Sequence, residues 1–412
     1  MSITKIEQVI KEYCDVFYME DTNVIPLCIG VTAQSLVEGD PVWLWLVGGS
    51  SSGKTEVINA LTGLKFVIQV STLTENTFLS GAKAKGKETS LLKEIKNGCI
   101  VMKDFTSILS MNNEKREAII GQMREIFDGK FTKATGTGDF LKWEGKINFI
   151  AGVTEAIHAE SDRFNQMGTR NLFYTLPEQD RIKTTFRAIE NGNTIKFKRE
   201  HLKEVFSEYI NYLVGQAQQK QYELPKEIQS NIVYLTDFVS RATTGVVKNY
   251  RGEMQLVMSP NMPMRNAAQA AGLAKIFMAM NDGVLADWGE RIIYKTALDC
   301  IPKQRKMVLG VLARYREVTT KGVGIALGYS TDLVSSWLAD LDALRICKRV
   351  IDTEAGKTRW ILSQDYRQLM IKYDGIQYKD EIFTGTDSES NYVEPNEQKE
   401  QDKEIEEKFK LW

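Results

Sequence analysis

The sequence predicts an α/β fold, in which a mostly parallel sheet is covered by helices on both faces. Four short runs of apolar and β-branched residues are bounded by turn residues, as buried strands are. Helical patterns lie between these runs, for example at residues 114–127. Strands that alternate with helices favour a parallel sheet, because each crossover packs a helix on one face. The predicted strands are residues 42–47, 65–70, 99–102 and 147–153.

Four regions are expected along the 412 residues. Residues 1–177 form the α/β core, 178–300 a helical region, 301–370 a smaller domain, and 371–412 a disordered acidic tail. From Asp380 to Trp412 there are 11 acidic and 4 basic residues, so this stretch carries −7 and the remainder +6. A mildly basic body with an acidic tail is compatible with nucleic-acid binding.

Composition argues against several classes of protein. The five cysteines show no C-x-x-C spacing and there are two histidines, so we expect reduced thiols and no zinc site. No apolar run approaches the roughly 20 residues of a membrane span. Residues 1–11 mix charged and apolar side chains, unlike a secretory signal. We therefore expect a cytoplasmic protein without membrane contact.

A phosphate-binding loop follows the first predicted strand. Residues 48–55 satisfy the pattern G-x-x-x-x-G-K-[ST], between a buried strand and a predicted helix. Lys54 would neutralise the β- and γ-phosphates, and the Thr55 hydroxyl would bind Mg²⁺. The sequence therefore predicts ATP and Mg²⁺ as cofactors. The expected nucleotide-binding residues are Gly48, Gly49, Ser50, Ser51, Ser52, Gly53, Lys54, Thr55 and Glu56.

Asp104, after the third predicted strand, is the candidate for the second acidic group that holds Mg²⁺ in such sites. The glutamate that commonly follows this aspartate is absent, because position 105 is phenylalanine. The residue that orients the attacking water stays open.

Several features together resemble the AAA+ class of ATPases. A helical segment precedes the loop, a helical region of suitable size follows the sheet, and Thr154 ends the fourth strand, where AAA+ proteins place a polar sensor. Residues 102–155 resemble minichromosome-maintenance helicases and AAA+ replication proteins of phages and integrating elements. The resemblance implies a homo-oligomeric, hexameric ring with residues 178–300 as a lid.

The resemblance also implies a β-hairpin before the sensor strand that projects into the ring channel and contacts DNA. Here the hairpin would span residues 130–142, and its lysines would meet DNA phosphates. The candidate lysines are Lys130, Lys133 and Lys142.

Two arginines are candidates for the finger that such proteins supply to the nucleotide of a neighbouring subunit. Arg170 precedes an apolar strand that ends at Pro177, and Arg163 is the competing choice. Arg265 follows Pro263 at a predicted helix start, and it resembles the second sensor arginine that reaches the γ-phosphate.

Residues 303–363 read as helix, helix, turn, helix and hairpin, which is the winged-helix pattern. The first helix is expected at 303–317, Thr319 or Thr320 would cap the second, and Ser330 or Thr331 the third. The third helix has no Lys or Arg before Arg345, so backbone-led DNA binding through the wing is expected, with protein contacts as the alternative. The wing residues are Lys348, Arg349, Lys357 and Arg359.

These expectations lead to a ring-forming ATPase that acts on DNA, with a replicative helicase of a phage or mobile element as the first hypothesis. The alternative is an ATP-dependent loader, regulator or defence component that binds DNA without unwinding it. A small-molecule kinase with a phosphate loop is a third possibility. The aromatic end of the tail, Trp412, is a candidate contact for a replication or single-strand-binding partner, although a solubilising tail is the alternative.

Overall fold

The computed structural model describes residues 5–80, 83–84, 87–88, 90–134, 140–160, 170–351, 358–374 and 376–385. The chain divides into two compact units. The first comprises Met1–Val247 and Leu256–Lys303, and the second comprises Lys248–Gln255 and Gln304–Trp412. Among the described helices, none is long and apolar enough to cross a membrane.

The core of the first unit is a five-stranded, fully parallel sheet with helices on its faces. Its strand order is β2-β5-β8-β1-β9, so the phosphate-loop strand β1 lies between β8 and β9. This confirms the predicted α/β class and the four predicted strands. The strands up to this sheet's last member are β1 Trp43–Val47, β2 Val67–Val70, β3 Lys83–Ala84, β4 Lys87–Glu88, β5 Asn97–Met102, β6 Lys130–Ala134, β7 Phe140–Glu144, β8 Lys146–Val153 and β9 Asn171–Thr175.

Every residue of β1 is buried, as expected for a central strand covered on both faces. On one face, the indole of Trp45 packs against Phe105 at a centroid distance of 4.3 Å and against Phe149 at 5.4 Å. Burying a side chain of this size contributes about 1.5–3 kcal/mol. These rings hold β1, β8 and the segment after β5 in fixed positions, and thereby position the three loops at the carboxyl end of the sheet.

The helices that precede and cover this sheet include one that the sequence did not reveal. Helix α2, Val24–Gln34, is buried along its whole length, and the sequence suggested only a connection there. A helix that is apolar on all sides has no polar face, and therefore lacks the period of an amphipathic helix. The helices up to β9 are α1 Ile6–Val16, α2 Val24–Gln34, α3 Lys54–Ala60, α4 Leu91–Glu94, α5 Thr106–Leu109 and α6 Asn113–Phe127.

The predicted hairpin before the sensor strand is present. Strands β6 and β7 pair antiparallel from Lys130↔Glu144 to Ala134↔Phe140. Its base is fixed to the core, because the indole of Trp143 is buried and donates a hydrogen bond to the Ile95 carbonyl at 3.2 Å. The base of the hairpin is thus anchored to the core.

The region after the sheet is mainly helical, as predicted. It also contains a short hairpin, β10 Val246–Lys248 with β11 Met254–Val257, that the sequence did not indicate. Strands of three and four residues are too short to show an alternating pattern. The helices are α7 Arg181–Asn191, α8 Ile195–Gln219, α9 Lys226–Ala242, α10 Met264–Met280 and α11 Asp287–Leu298.

The second unit contains the predicted helices and hairpin, with two additional strands. The first helix ends at Arg314 and not at residue 317, because Tyr315–Thr319 forms a strand inside a four-stranded sheet of order β13-β14-β12-β15. Thr319 caps the second helix and Ser330 caps the third, so the alternatives Thr320 and Thr331 are not the caps. The elements are α12 Lys303–Arg314, β12 Tyr315–Thr319, α13 Thr320–Leu327, α14 Thr331–Ala343, β13 Cys347–Ile351, β14 Thr358–Leu362, α15 Gln364–Asp374 and β15 Lys379–Phe383.

Strand β15 corrects the expected start of the disordered tail. It lies within residues 371–412, yet it pairs in parallel with β12, and the ring of Phe383 stacks on Tyr315 at 4.5 Å and 8°. A polar strand is ordered here because β12 offers an open edge and an aromatic contact. The tail beyond residue 385, including Trp412, lies outside the described residues.

Candidate nucleotide-binding site

The phosphate loop has the backbone that its glycines were predicted to allow. Gly53 has φ +85° immediately before α3, and Ser51 has φ +65°. A Cβ on Gly48 would lie 2.8 Å from Oγ of Ser52, so this position accepts only glycine without movement. The Gly48 amide donates to the carbonyl of Val153 at 3.1 Å, which fastens the start of the loop to the neighbouring strand.

Lys54 organises the loop from within. Its Nζ donates to the carbonyls of Gly48 and Gly49 at 2.8 and 2.7 Å, and to Oγ of Ser52 at 2.8 Å. Burial lowers the pKa of Lys54 from its ordinary value, while the nearby Asp104 carboxylate acts in the opposite direction. A desolvated ammonium surrounded by dipoles is ready to exchange these acceptors for phosphate oxygens.

Two cavities flank the loop. The larger cavity, of about 630 Å³, lies toward the end of β9. The smaller one, of about 500 Å³, is lined by helices α1, α3, α7 and α8. Both are large enough for part of a nucleotide, since ligand sites commonly span 300–1,000 Å³. Residues 50–52 line both cavities. The loop therefore separates two spaces that a triphosphate and its nucleoside can share.

The smaller cavity has apolar and basic walls that sequence motifs did not reveal. Its side chains include Tyr13, Phe17 and Arg187, which come from segments far apart in the chain. Arg199 also lines it, with its Nε donating to Oε2 of Glu56 at 2.9 Å and its guanidinium lying 5.9 Å from the Phe17 ring centroid. Glu56, predicted as a nucleotide-binding residue, thus joins the loop helix to α8.

Asp104 and Thr154 lie at the ends of strands on the same side of β1. The Thr106 amide donates to Oδ1 of Asp104 at 2.8 Å, and the Thr154 amide donates to Oγ1 of Thr106 at 3.3 Å. Thr106 therefore links the predicted metal-binding carboxylate to the predicted sensor hydroxyl. The sequence singled out Asp104 and Thr154, but it could not show this link through Thr106.

The residue after Asp104 takes no part in chemistry. Phe105 is fully buried, and its amide donates to the Gly152 carbonyl at 2.8 Å. The carboxylates that line the larger cavity are instead those of Glu155 and Glu178. Glu155 is paired with Lys303 at 2.8 Å, and Glu178 with Arg181 at 3.0 Å.

The groups at this edge suit magnesium. The Thr55 hydroxyl and the Asp104 carboxylate are hard oxygen ligands, and both residues are exposed. Mg²⁺ bound with a nucleotide typically takes one or two protein oxygens, with water and phosphate oxygens completing the octahedron. Among the described residues, no group of three or more His, Cys, Asp or Glu could form a metal site without phosphate.

Arg170 lies at the opposite edge of the sheet from the phosphate loop. It precedes β9, whose Asn171 is level with Trp43 at the start of β1. Gly48 is level with Leu176, and at about 3.3 Å per residue the six-residue separation from Arg170 is roughly 20 Å. An arginine side chain is shorter than this distance, so Arg170 does not reach the phosphate loop of its own chain.

Arg265 lies beside Arg170 in the structure, and the expectation that it reaches a γ-phosphate stays a prediction. Arg170 and Arg265 each place an Nη2 on Asp128, at 2.7 and 3.4 Å. Neither arginine lines the two described cavities. Arg163, the competing finger, lies outside the described residues.

The hairpin lysines differ in their surroundings. The Nζ of Lys133 donates to the Glu75 carbonyl, Oδ1 of Asn76 and the Leu79 carbonyl at 2.7–3.0 Å. Its three donors are all used in this conformation, so a phosphate would have to replace protein acceptors, and the predicted phosphate contact of Lys133 stays a prediction. Lys130 pairs with Glu144 at 3.4 Å, and Lys142 is exposed.

The basic residues expected in the wing of the second unit are only partly exposed. Lys348 and Arg349 are exposed on β13. Arg359 is half-buried and pairs with Glu317 at 3.3 Å. Lys357 lies outside the described residues.

Comparison with known proteins finds likeness among solved structures. No protein-family model and no curated protein matches the sequence. Among solved structures, the chain is similar to a crystal structure of "a putative ATPase" from Cytophaga hutchinsonii at 15% identity. The match covers 71% of this chain and 85% of that chain, with a TM-score of 0.42.

Proposed function

We propose that this protein is an ATPase that binds ATP and Mg²⁺ at the loop of residues 48–55. The observation that carries the proposal is the position of three chemical groups at one edge of the sheet. Lys54 lies in a loop with the required glycine geometry, and Asp104 and Thr154 end the strands on one side of it. Phosphoryl transfer needs positive and polar groups in fixed positions around the phosphoryl group that is transferred.

Each residue has a distinct part in this proposal. Lys54 binds the β- and γ-phosphates, Thr55 and Asp104 hold Mg²⁺, and Thr154 senses whether the last phosphate remains. Magnesium supplies charge neutralisation on the phosphates. The larger cavity beside Ser52 receives the end of the triphosphate chain.

The active assembly in this proposal is a head-to-tail homo-oligomer of the AAA+ type, closing as a hexameric ring. Arg170 and Arg265 are at the amino edge of the sheet, whereas the phosphate loop is at the carboxyl edge. They can therefore act only on the nucleotide of another subunit. A heterologous contact that repeats and closes forms a ring.

The proposed substrate of the motor is DNA, and the first hypothesis is a replicative helicase of a phage or mobile element. Two features support it: the β6–β7 hairpin, and the second unit, whose helix, strand, helix, helix and hairpin order is that of a winged helix. The exposed basic residues for phosphate contacts are Lys130, Lys142, Lys348 and Arg349.

A loader, regulator or defence component that does not unwind DNA is the second candidate. It is favoured by Phe105, because a phenylalanine at position 105 cannot act as the base that activates the attacking water. The side chain of Phe105 is also fully buried, so this position does not face the nucleotide site. Such a protein would hydrolyse ATP slowly and use the bound state as a signal.

The test is nucleotide binding and phosphate release by the wild type, Lys54→Ala and the control Lys275→Ala, an exposed lysine on α10. We expect only Lys54→Ala to lose both. Equal ATP turnover by the wild type and Lys54→Ala would refute the ATPase proposal. Strand displacement on forked DNA separates the candidates, since the loader or switch would assemble on DNA without it.

A further inference from the structure

We propose that Asp128 is a positioning residue, which holds Arg170 and Arg265 as one unit for the nucleotide of the neighbouring subunit. This inference rests on the proposed function. It concerns a residue that no motif singled out, at the junction of α6 and the β6–β7 hairpin.

The carboxylate divides its two oxygens between the two arginines. Arg170 Nη2 lies 2.7 Å from Oδ2 of Asp128, and Arg265 Nη2 lies 3.4 Å from Oδ1. Arg170 precedes β9 and Arg265 is the second residue of α10, so they come from elements almost a hundred residues apart. Asp128 thus brings together one arginine from the sheet and one from the helical region.

Asp128 itself is held firmly in place. It ends α6, and its amide donates to the Arg124 carbonyl at 3.1 Å. Gly129 follows with φ +80°, a conformation in which a side chain would be strained, and turns the chain into β6. The neighbouring Phe127 places its ring 5.7 Å from the guanidinium of Arg170. A rigid carboxylate fixes the groups that it binds.

Electrostatics requires an anion at this position. Two guanidinium groups repel, and the side chain of Arg170 is only 11% exposed, so water screens its charge poorly. One carboxylate offsets this repulsion but leaves the group of three with a net charge of +1. That surplus still attracts a phosphate, and the fixed donors need little reorganisation when it arrives.

The expected consequence is a loss of rate without a loss of binding. Replacing the carboxylate by an amide releases both arginines, and misplacing a reacting group by 1 Å can cost on the order of 10²-fold. Asp128→Asn should therefore lower kcat for ATP about 10- to 100-fold. The affinity of a subunit for its own ATP should stay the same, because Asp128 lies at the far edge of the sheet.

Two further variants separate positioning from folding. Asp128→Glu keeps the charge and should recover part of the rate, since the longer side chain can still pair with both arginines. Asp237→Asn is the matched control, because it breaks a 2.8 Å pair with Arg241 on α9 of the same unit. Control turnover should equal that of the wild type, and all variants should be compared by thermal unfolding.

The decisive experiment mixes subunits. The Lys54→Ala subunit lacks a working phosphate loop but keeps Arg170 and Arg265 in position. The Asp128→Asn subunit keeps a working phosphate loop but no longer holds the two arginines. If Asp128 acts across the interface, the mixture hydrolyses ATP at least several-fold faster than the summed rates of the two variants. If Asp128→Asn does not fold, Asp128→Ser takes its place in the mixture, because it also removes the carboxylate.

The outcomes distinguish this inference from the function on which it rests. Equal kcat for Asp128→Asn and the wild type, or no gain on mixing, overturns the role of Asp128 while Lys54→Ala still abolishes turnover. If Lys54→Ala hydrolyses ATP as the wild type does, the proposed function fails instead. A Kd for ATP raised tenfold or more in Asp128→Asn would place Asp128 at the nucleotide of its own subunit and refute the inference.

Discussion

Replacing Arg170 by alanine tests whether this arginine acts on its own nucleotide or on that of a neighbour. The strand register puts Arg170 roughly 20 Å from Gly48, six residues away at about 3.3 Å each. We therefore expect Arg170→Ala to bind ATP as tightly as the wild type under conditions where the protein is monomeric. Turnover in the assembled state should fall about 10³-fold or more, as for other arginines supplied in trans.

The magnitudes separate the two cases. A charge-assisted hydrogen bond to a bound phosphate contributes about 1.5–3 kcal/mol, and each 1.4 kcal/mol is tenfold in affinity. An arginine that contacted its own nucleotide would therefore weaken monomer binding about 10- to 100-fold when removed. The side chain also pairs with Asp128 and packs on Phe127, so a stability loss of about 1–3 kcal/mol is expected as well.

The assay is titration of a fluorescent ATP analogue at low protein concentration, together with phosphate release at high concentration. Arg241→Ala, which removes a half-exposed arginine paired with Asp237 on α9, is the control for the loss of a cation outside the site. Both measurements are made at a temperature well below the melting temperature of the variant. A tenfold weaker monomer Kd, or unchanged turnover at high concentration, would refute the assignment of Arg170 to the neighbour's site.

Three further predictions concern stability and DNA. Asn148 is fully buried and serves three hydrogen-bond partners, so Asn148→Leu should cost about 3 kcal/mol in urea unfolding; a loss below 1 kcal/mol would contradict this. Burial raises the pKa of three cysteine thiols above their ordinary 9.0, so stability present below pH 9 should fall toward pH 12, by up to about 1.4 kcal/mol per thiol per pH unit. These thiols are Cys28, Cys99 and Cys347. Burial lowers the pKa of Lys146 to about 8, so this lysine opposes the trend from pH 8 to 10.5, but it is one group against three thiols. A free energy of unfolding in urea that does not change from pH 9 to 10.5 would therefore contradict the predicted loss of stability. Lys142→Met should reduce the slope of log K against log salt on single-stranded DNA by about 0.7, whereas Lys133→Met should leave it unchanged, because its ammonium is already bound; equal slopes for both would overturn this difference.

Local sequence was enough for the parallel sheet and the phosphate loop. A buried strand, its bounding turns and the glycine-lysine motif are all short-range patterns, and each of the four predicted strands was found within two residues of its expected bounds. The hairpin before β8 was also predicted, because its turn and its lysines lie within about 15 residues. Helix α2 and strand β15 were missed, since one has no polar face and the other depends on an edge offered by β12.

The sequence by itself determined which groups can bind a triphosphate, because the loop builds its own geometry from consecutive residues. Tertiary structure decided which partners surround them. It placed Arg199 on Glu56, and it joined Arg265 to Arg170 through Asp128. These residues are far apart in the chain, and only strand register and helix packing bring their charges within a few ångströms of one another.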